Sequence, residues 1–137
     1  MTLKSKELTK ILSQMGIKQL YPWQEKVIEK LLNGTPSQLV ICPTAGGKSL
    51  TYQVPALLRD GLTLVISPLK SLMADQVLNL QAKGFANKVA FYNSSLDSFQ
   101  KGTIRKQISN GTIRLLYVAP ERLHKDFIQY LMNLKEC

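Results

Sequence analysis

Four short runs of consecutive apolar residues, at positions 38–42, 62–67, 88–92 and 113–119, are separated by stretches long enough to form a helix. Segments such as LVIC, LTLVIS and RLLYVA are apolar at successive positions instead of alternate ones. A strand with one wet face alternates, so this pattern belongs to parallel strands covered by helices on both sides. The expected fold class is α/β, with a mainly parallel sheet flanked by helices. Two amphipathic helices come first. Leu3, Leu8, Ile11, Leu12 and Met15 recur at helical steps ahead of Gly16. Pro22 then opens a second helix, whose Val27, Ile28, Leu31 and Leu32 line one face before Asn33 and Gly34 end it. A last helix is expected over 125–134. We expect one domain, with N-terminal helices over 1–33 and β-α units over 38–137.

A chain of 137 residues matches one domain or part of one, and its 45% apolar and 20% charged composition is that of a globular protein, not a disordered one. Eighteen basic residues against nine acidic ones give a net charge of +9, which favours anionic partners such as nucleic acid, nucleotides or acidic lipid. Cys42 and Cys137 are too far apart to suggest a disulfide framework or a metal-ligand pair, and a reducing compartment fits them. The only histidine, His124, has no second ligand positioned beside it and reads as a surface or capping residue. Trp23 reads as a packing residue of the second helix. The charged N-terminal segment lacks the apolar core of a signal peptide, and no run is long enough to span a membrane. A soluble, intracellular protein is expected.

Between the first apolar run and the next helix lies Pro43-Thr44-Ala45-Gly46-Gly47-Lys48-Ser49. Glycines let backbone amides converge on phosphate oxygens, and a helix opening near Gly47 presents its positive dipole end. Lys48 can reach the β and γ phosphates of a nucleotide, and the Ser49 hydroxyl can bind Mg²⁺. The strict G-x-x-x-x-G-K-[ST] pattern fails because Cys42 stands at its first glycine. The segment also reads as a Gly-Gly turn opening a helix with a solvated lysine, but a strand before it and a helix after it favour phosphate. Ala45 costs about 1 kcal/mol if its position needs a positive φ.

Taken in order, PTAGGKSLTYQVPAL (43–57), SPLKSLMADQV (67–77) and RLLYVAPERL (114–123) resemble the first motor domain of RecQ-family ATP-dependent DNA helicases of superfamily 2. The resemblance runs from about Gly16 onward and implies a partial RecA-like P-loop domain using ATP and Mg²⁺. It gives phosphate binding to Thr44, Ala45, Gly46, Gly47, Lys48 and Ser49, with Lys48 catalytic and Ser49 at the magnesium. Gln24 falls in the adenine-recognition motif, where a side-chain amide can both donate to and accept from the base edge; read alone, it is a helix-surface residue. The family's usual Phe-Arg is replaced here by Leu20-Tyr21, so adenine stacking passes to Tyr21. Ala45 replaces a glycine of the family's PTGGGKS.

The same resemblance places single-stranded DNA against Ser67, Lys70 and Ser71, against Asn93 and Ser94, and against Arg122, and it implies 3′ to 5′ translocation. For any one of these residues a structural role fits equally: Ser67-Pro68 reads as a cap and first-turn proline, and Arg122 can meet a carboxylate instead of a phosphate. The remaining basic residues, such as Lys10, Lys18, Arg105 and Lys106, read as a solvated face.

Hydrolysis in this class needs an aspartate and a glutamate after a buried strand. All nine acidic residues here are isolated, and the resemblance puts the DEAH-type box beyond Cys137. The chain is therefore expected to be the N-terminal piece of a helicase whose remainder is a candidate partner. On its own it should show little hydrolysis and no unwinding, and the run 38–42 should have unpaired edges because its neighbouring strands lie elsewhere. Localisation follows the parent: cytoplasmic, at the nucleoid in a bacterium or the nucleus in a eukaryote. The alternatives are a non-catalytic basic nucleic-acid-binding or regulatory protein and, less favoured, a small P-loop kinase.

Overall fold

The computed structural model describes residues 6–43 and 47–134, and the chain divides into two compact units, Met1–Asp60 and Gly61–Cys137. Among its described residues the first unit has the helices α1 (Lys6–Gln14), α2 (Pro22–Leu32) and α3 (Leu50–Leu58). In α1 the expected apolar spacing turns Leu8 and Ile11 inward, with Met15 just beyond it; Leu3 lies outside the described residues. Pro22 takes the first turn of α2, where its missing amide costs nothing. The other end of α2 closes in a Schellman motif: Gly34 N donates to Leu31 O and Thr35 N to Lys30 O. That turn requires a left-handed residue, and Gly34 supplies it with φ 89°. α3 packs against both α1 and α2 and buries Val54, Ala56 and Leu57.

The second unit is a three-stranded parallel sheet of β1 (Thr63–Ile66), β2 (Val89–Tyr92) and β3 (Leu115–Val118), in the order β1-β3-β2. Thr63 and Val89 both align with Leu115, so the three strands end level at Ile66, Tyr92 and Val118. β3 is central and all four of its residues are buried. Leu116 and Val118 face a cluster with Tyr92, Ile108, Ile113 and Phe127, contributed in part by α5 (Ser98–Ser109) and α6 (Lys125–Asn133). Tyr117 points the other way and donates its hydroxyl to Gln76 Oε1 at 3.1 Å, on α4 (Lys70–Leu80). Helices thus cover both faces, which is why these strands read as unbroken apolar runs.

Two local expectations are corrected. The run 38–42 has strand composition but joins no ladder among the described residues. Leu39 and Ile41 are each 87% exposed, and a bond from Gln38 Nε2 to Val27 O, at 3.0 Å, ties the start of this run to α2. Composition makes a segment able to pair, but a strand exists only beside a partner. The second correction concerns Ser67 and Pro68, which are neither cap nor first-turn residue of α4. The helix starts at Lys70 with Leu69 as its cap. Ser67 Oγ instead accepts from Leu69 N at 3.3 Å, a local turn that competes with helix capping.

Candidate nucleotide and nucleic-acid sites

In the first unit, Gly47, Lys48 and Ser49 of the candidate phosphate loop lead into α3, with Ser49 as its cap. The helix opens three residues later than Gly47. Thr51 N donates to Lys48 O at 3.1 Å, and Thr51 Oγ1 donates to the same carbonyl at 2.6 Å. Lys48 is exposed and Ser49 half-buried. Thr44, Ala45 and Gly46 lie outside the described residues.

Gln24 is only 2% exposed, which corrects its reading as a helix-surface residue. Its Oε1 accepts from Tyr21 N at 2.8 Å, and its Nε2 donates to Gly47 O at 2.9 Å. One buried amide therefore joins the start of α2 to the phosphate loop. Among the described residues each of its polar atoms makes one hydrogen bond. Tyr21 beside it is 64% exposed, free to present its ring. Trp23 is half-buried and lines a cavity of about 430 Å³ with Lys26, Lys30 and residues 38–43.

The Gln24 contact also explains why position 47 is glycine. Gly47 has φ 85°, and a Cβ there would stand 2.5 Å from Gln24 Nε2. Gly47→Ala must therefore strain the backbone and push the glutamine off its carbonyl. We expect a loss of about 1–3 kcal/mol in urea unfolding, together with weaker nucleotide binding. Unchanged unfolding would mean the loop relaxes without cost.

In the second unit, the carboxyl ends of three parallel strands gather residues from three distant loops, the edge where α/β sheets bind ligands. Ser67 follows β1, Asn93 and Ser94 follow β2, and a 3₁₀ turn, Pro120–Arg122, follows β3. Lys70, the first residue of α4, donates through Nζ to Ser94 Oγ and lies 3.6 Å from Glu121 Oε1. Ser71 is exposed in the same first turn. Asn93 is 2% exposed, and its Oδ1 accepts from Ser95 N at 2.8 Å and Ser95 Oγ at 2.5 Å. Its side chain shapes the turn that presents Ser94. Arg122 is half-buried, and its Nε is buried with no hydrogen-bond partner among the described residues. The Lys70–Glu121 pair joins positions far apart in sequence, and no local signal announces it.

His124 caps α6 by backbone alone, and Cys42 is a free, half-buried thiol. Among the described residues no group of three or more acidic, histidine or cysteine side chains could hold a metal, and no helix is long and apolar enough to cross a membrane.

The DEAD/DEAH box helicase family matches residues 21–136. The chain is 44% identical over 135 residues to the ATP-dependent DNA helicase RecQ of Haemophilus influenzae, covering 98% of this chain and 21% of that protein. It is 44% identical over 121 residues to RecQ of Pasteurella multocida, covering 88% of this chain and 19% of that protein. With RecQ of Bacillus subtilis it shares 36% over 120 residues, 87% of this chain and 20% of that protein. The chain thus spans about a fifth of the length of these curated relatives. The parallel sheet with helices on both faces and the helices ahead of the phosphate loop are those of a partial RecA-like domain. The chain belongs to the DEAD/DEAH box helicase family, and within it to the RecQ group.

Proposed function

We propose that this chain supplies the ATP-binding loop and part of the single-stranded DNA track of an ATP-dependent DNA helicase. The observation that carries the reading is the Gln24 amide, buried and bonded to the Gly47 carbonyl, which couples the adenine-recognition residue directly to the phosphate loop. Gln24 would read the adenine edge with Tyr21 offering a stacking face. The amides ahead of α3 would hold the phosphates, Lys48 would neutralise the β and γ oxygens, and the Ser49 hydroxyl would hold Mg²⁺. The bound nucleotide supplies the chemical energy; this chain's residues bind and orient it. No adjacent Asp-Glu pair occurs among the nine acidic residues, so the reading assigns none of them to positioning the attacking water.

For DNA, the reading assigns phosphate contacts to Lys70, Ser94 and Arg122, with Ser67 and Ser71 beside them and Asn93 holding the turn. Arg122 fits this role because its buried Nε donor lacks a partner among the described residues, a cost that an incoming anion would relieve. The test is binding of a labelled single-stranded oligonucleotide across a salt series. Lys70→Ala and Arg122→Ala should each weaken binding, and each should flatten the dependence of log affinity on log salt by about one contact, a slope change of roughly 0.7. Unchanged affinity in both variants would remove this edge from the DNA track.

A further inference from the structure

We infer that Glu121 is a stand-in for the DNA phosphate, holding the Lys70 ammonium when no strand is bound and yielding it when one arrives. The inference rests on the reading of this sheet edge as a DNA track. Glu121 is an acid inside an otherwise basic constellation, between Lys70 and Arg122 in a chain of net charge +9. Its place is fixed by the 3₁₀ turn, where Arg122 N donates to Ala119 O at 2.9 Å and Leu123 N to Pro120 O at 3.0 Å. From that anchor its carboxylate comes 3.6 Å from Lys70 Nζ, with the side chains 47% (Lys70) and 52% (Glu121) exposed.

That geometry suits exchange. Both partners are reachable by solvent, so the pair opens at little cost. A lysine ammonium has three donors, so Lys70 can keep Ser94 Oγ while it trades the carboxylate for a phosphate oxygen. Glu121 also places negative charge beside the seat a phosphate would take. Its effect is to weaken the hold on each phosphate, which favours release as a strand is passed along the edge.

The test measures the affinity of a fluorescein-labelled single-stranded oligonucleotide at low salt for the wild type, Glu121→Gln, Lys70→Ala and the double variant. Asp75→Asn, which removes the same charge from an exposed position on α4, serves as the control. Glu121→Gln should tighten binding about two- to fivefold, the gain should shrink as salt rises, and it should vanish in the Lys70→Ala background. Asp75→Asn should have little effect. An equal gain in both backgrounds would mean only that a negative charge had been removed, and would overturn the exchange. So would the absence of any gain in a protein whose DNA binding still depends on Lys70. If Lys70→Ala binds as tightly as the wild type, or the folded wild type does not bind at all, the DNA track itself fails and the inference with it.

Discussion

Replacing Lys48 with alanine is expected to lower the affinity for Mg-ADP by roughly thirtyfold or more. The figure corresponds to about 2–3 kcal/mol, the upper part of the range for a hydrogen bond to a charged group. The fold should not register the change. Lys48 is exposed and has no ion-pair partner among the described residues, so its removal belongs with surface substitutions that shift stability by about 0.5 kcal/mol at most. Trp23, the only tryptophan, lies next to Gln24 on α2. Its fluorescence can report nucleotide binding, with circular dichroism on the same samples to show that both are folded. Equal affinity in wild type and variant would remove the lysine from the site. If DNA binding then proved indifferent to nucleotide as well, the chain would be better read as a basic nucleic-acid-binding protein that keeps the loop without using it.

The parts of the fold legible in the sequence are those fixed by patterns within one element. Leu8, Ile11 and Met15 sit at helical spacing, Pro22 and Gly34 bracket α2, and the runs LTLVIS and RLLYVA carry the strands β1 and β3. The strands are shorter than their apolar runs because pairing stops where the shared register stops, at Ile66, Tyr92 and Val118. What the sequence concealed depends on partners. Residues 38–42 are no less apolar than β1, yet they form no strand because no neighbour pairs with them among the described residues. Ser67 has the chemistry of a cap but uses it on Leu69. The motifs brought Gln24, Gly47, Lys70 and Arg122 into view one at a time. The links from Gln24 to Gly47 and from Lys70 to Glu121 follow only from how the helices pack and how parallel strands align their ends.

The largest expected loss of stability comes from Phe127→Ala, which should destabilise the protein by about 3–5 kcal/mol. Phe127 is fully buried, and its ring stacks on Tyr92 of β2 with centroids 4.9 Å apart and planes 4° from parallel. Tyr130, one turn along α6, lies with its ring centroid 6.3 Å from that of Phe127 and donates its hydroxyl to Arg105 O on α5 at 2.8 Å. The Arg105 guanidinium stands 5.0 Å from the centre of the Tyr130 ring and 5.9 Å from that of Phe127. Because Arg105 is exposed, Arg105→Ala should cost only about 0.5–1 kcal/mol. Arg105 Nε also donates to the Tyr92 hydroxyl at 3.3 Å, so that substitution removes a hydrogen bond along with the cation-ring contacts, and Phe127→Leu should recover much of the Phe127→Ala loss by refilling the cavity. Urea unfolding followed by circular dichroism measures all three; a Phe127→Ala loss below about 1 kcal/mol would mean that α6 is held by something else. The consequence reaches the DNA edge. α6 begins only a few residues after the turn that carries Glu121 and Arg122, so loosening the helix frees that turn. Under conditions where Phe127→Ala remains folded, its oligonucleotide affinity should still fall, although Phe127 is not itself one of the candidate DNA residues.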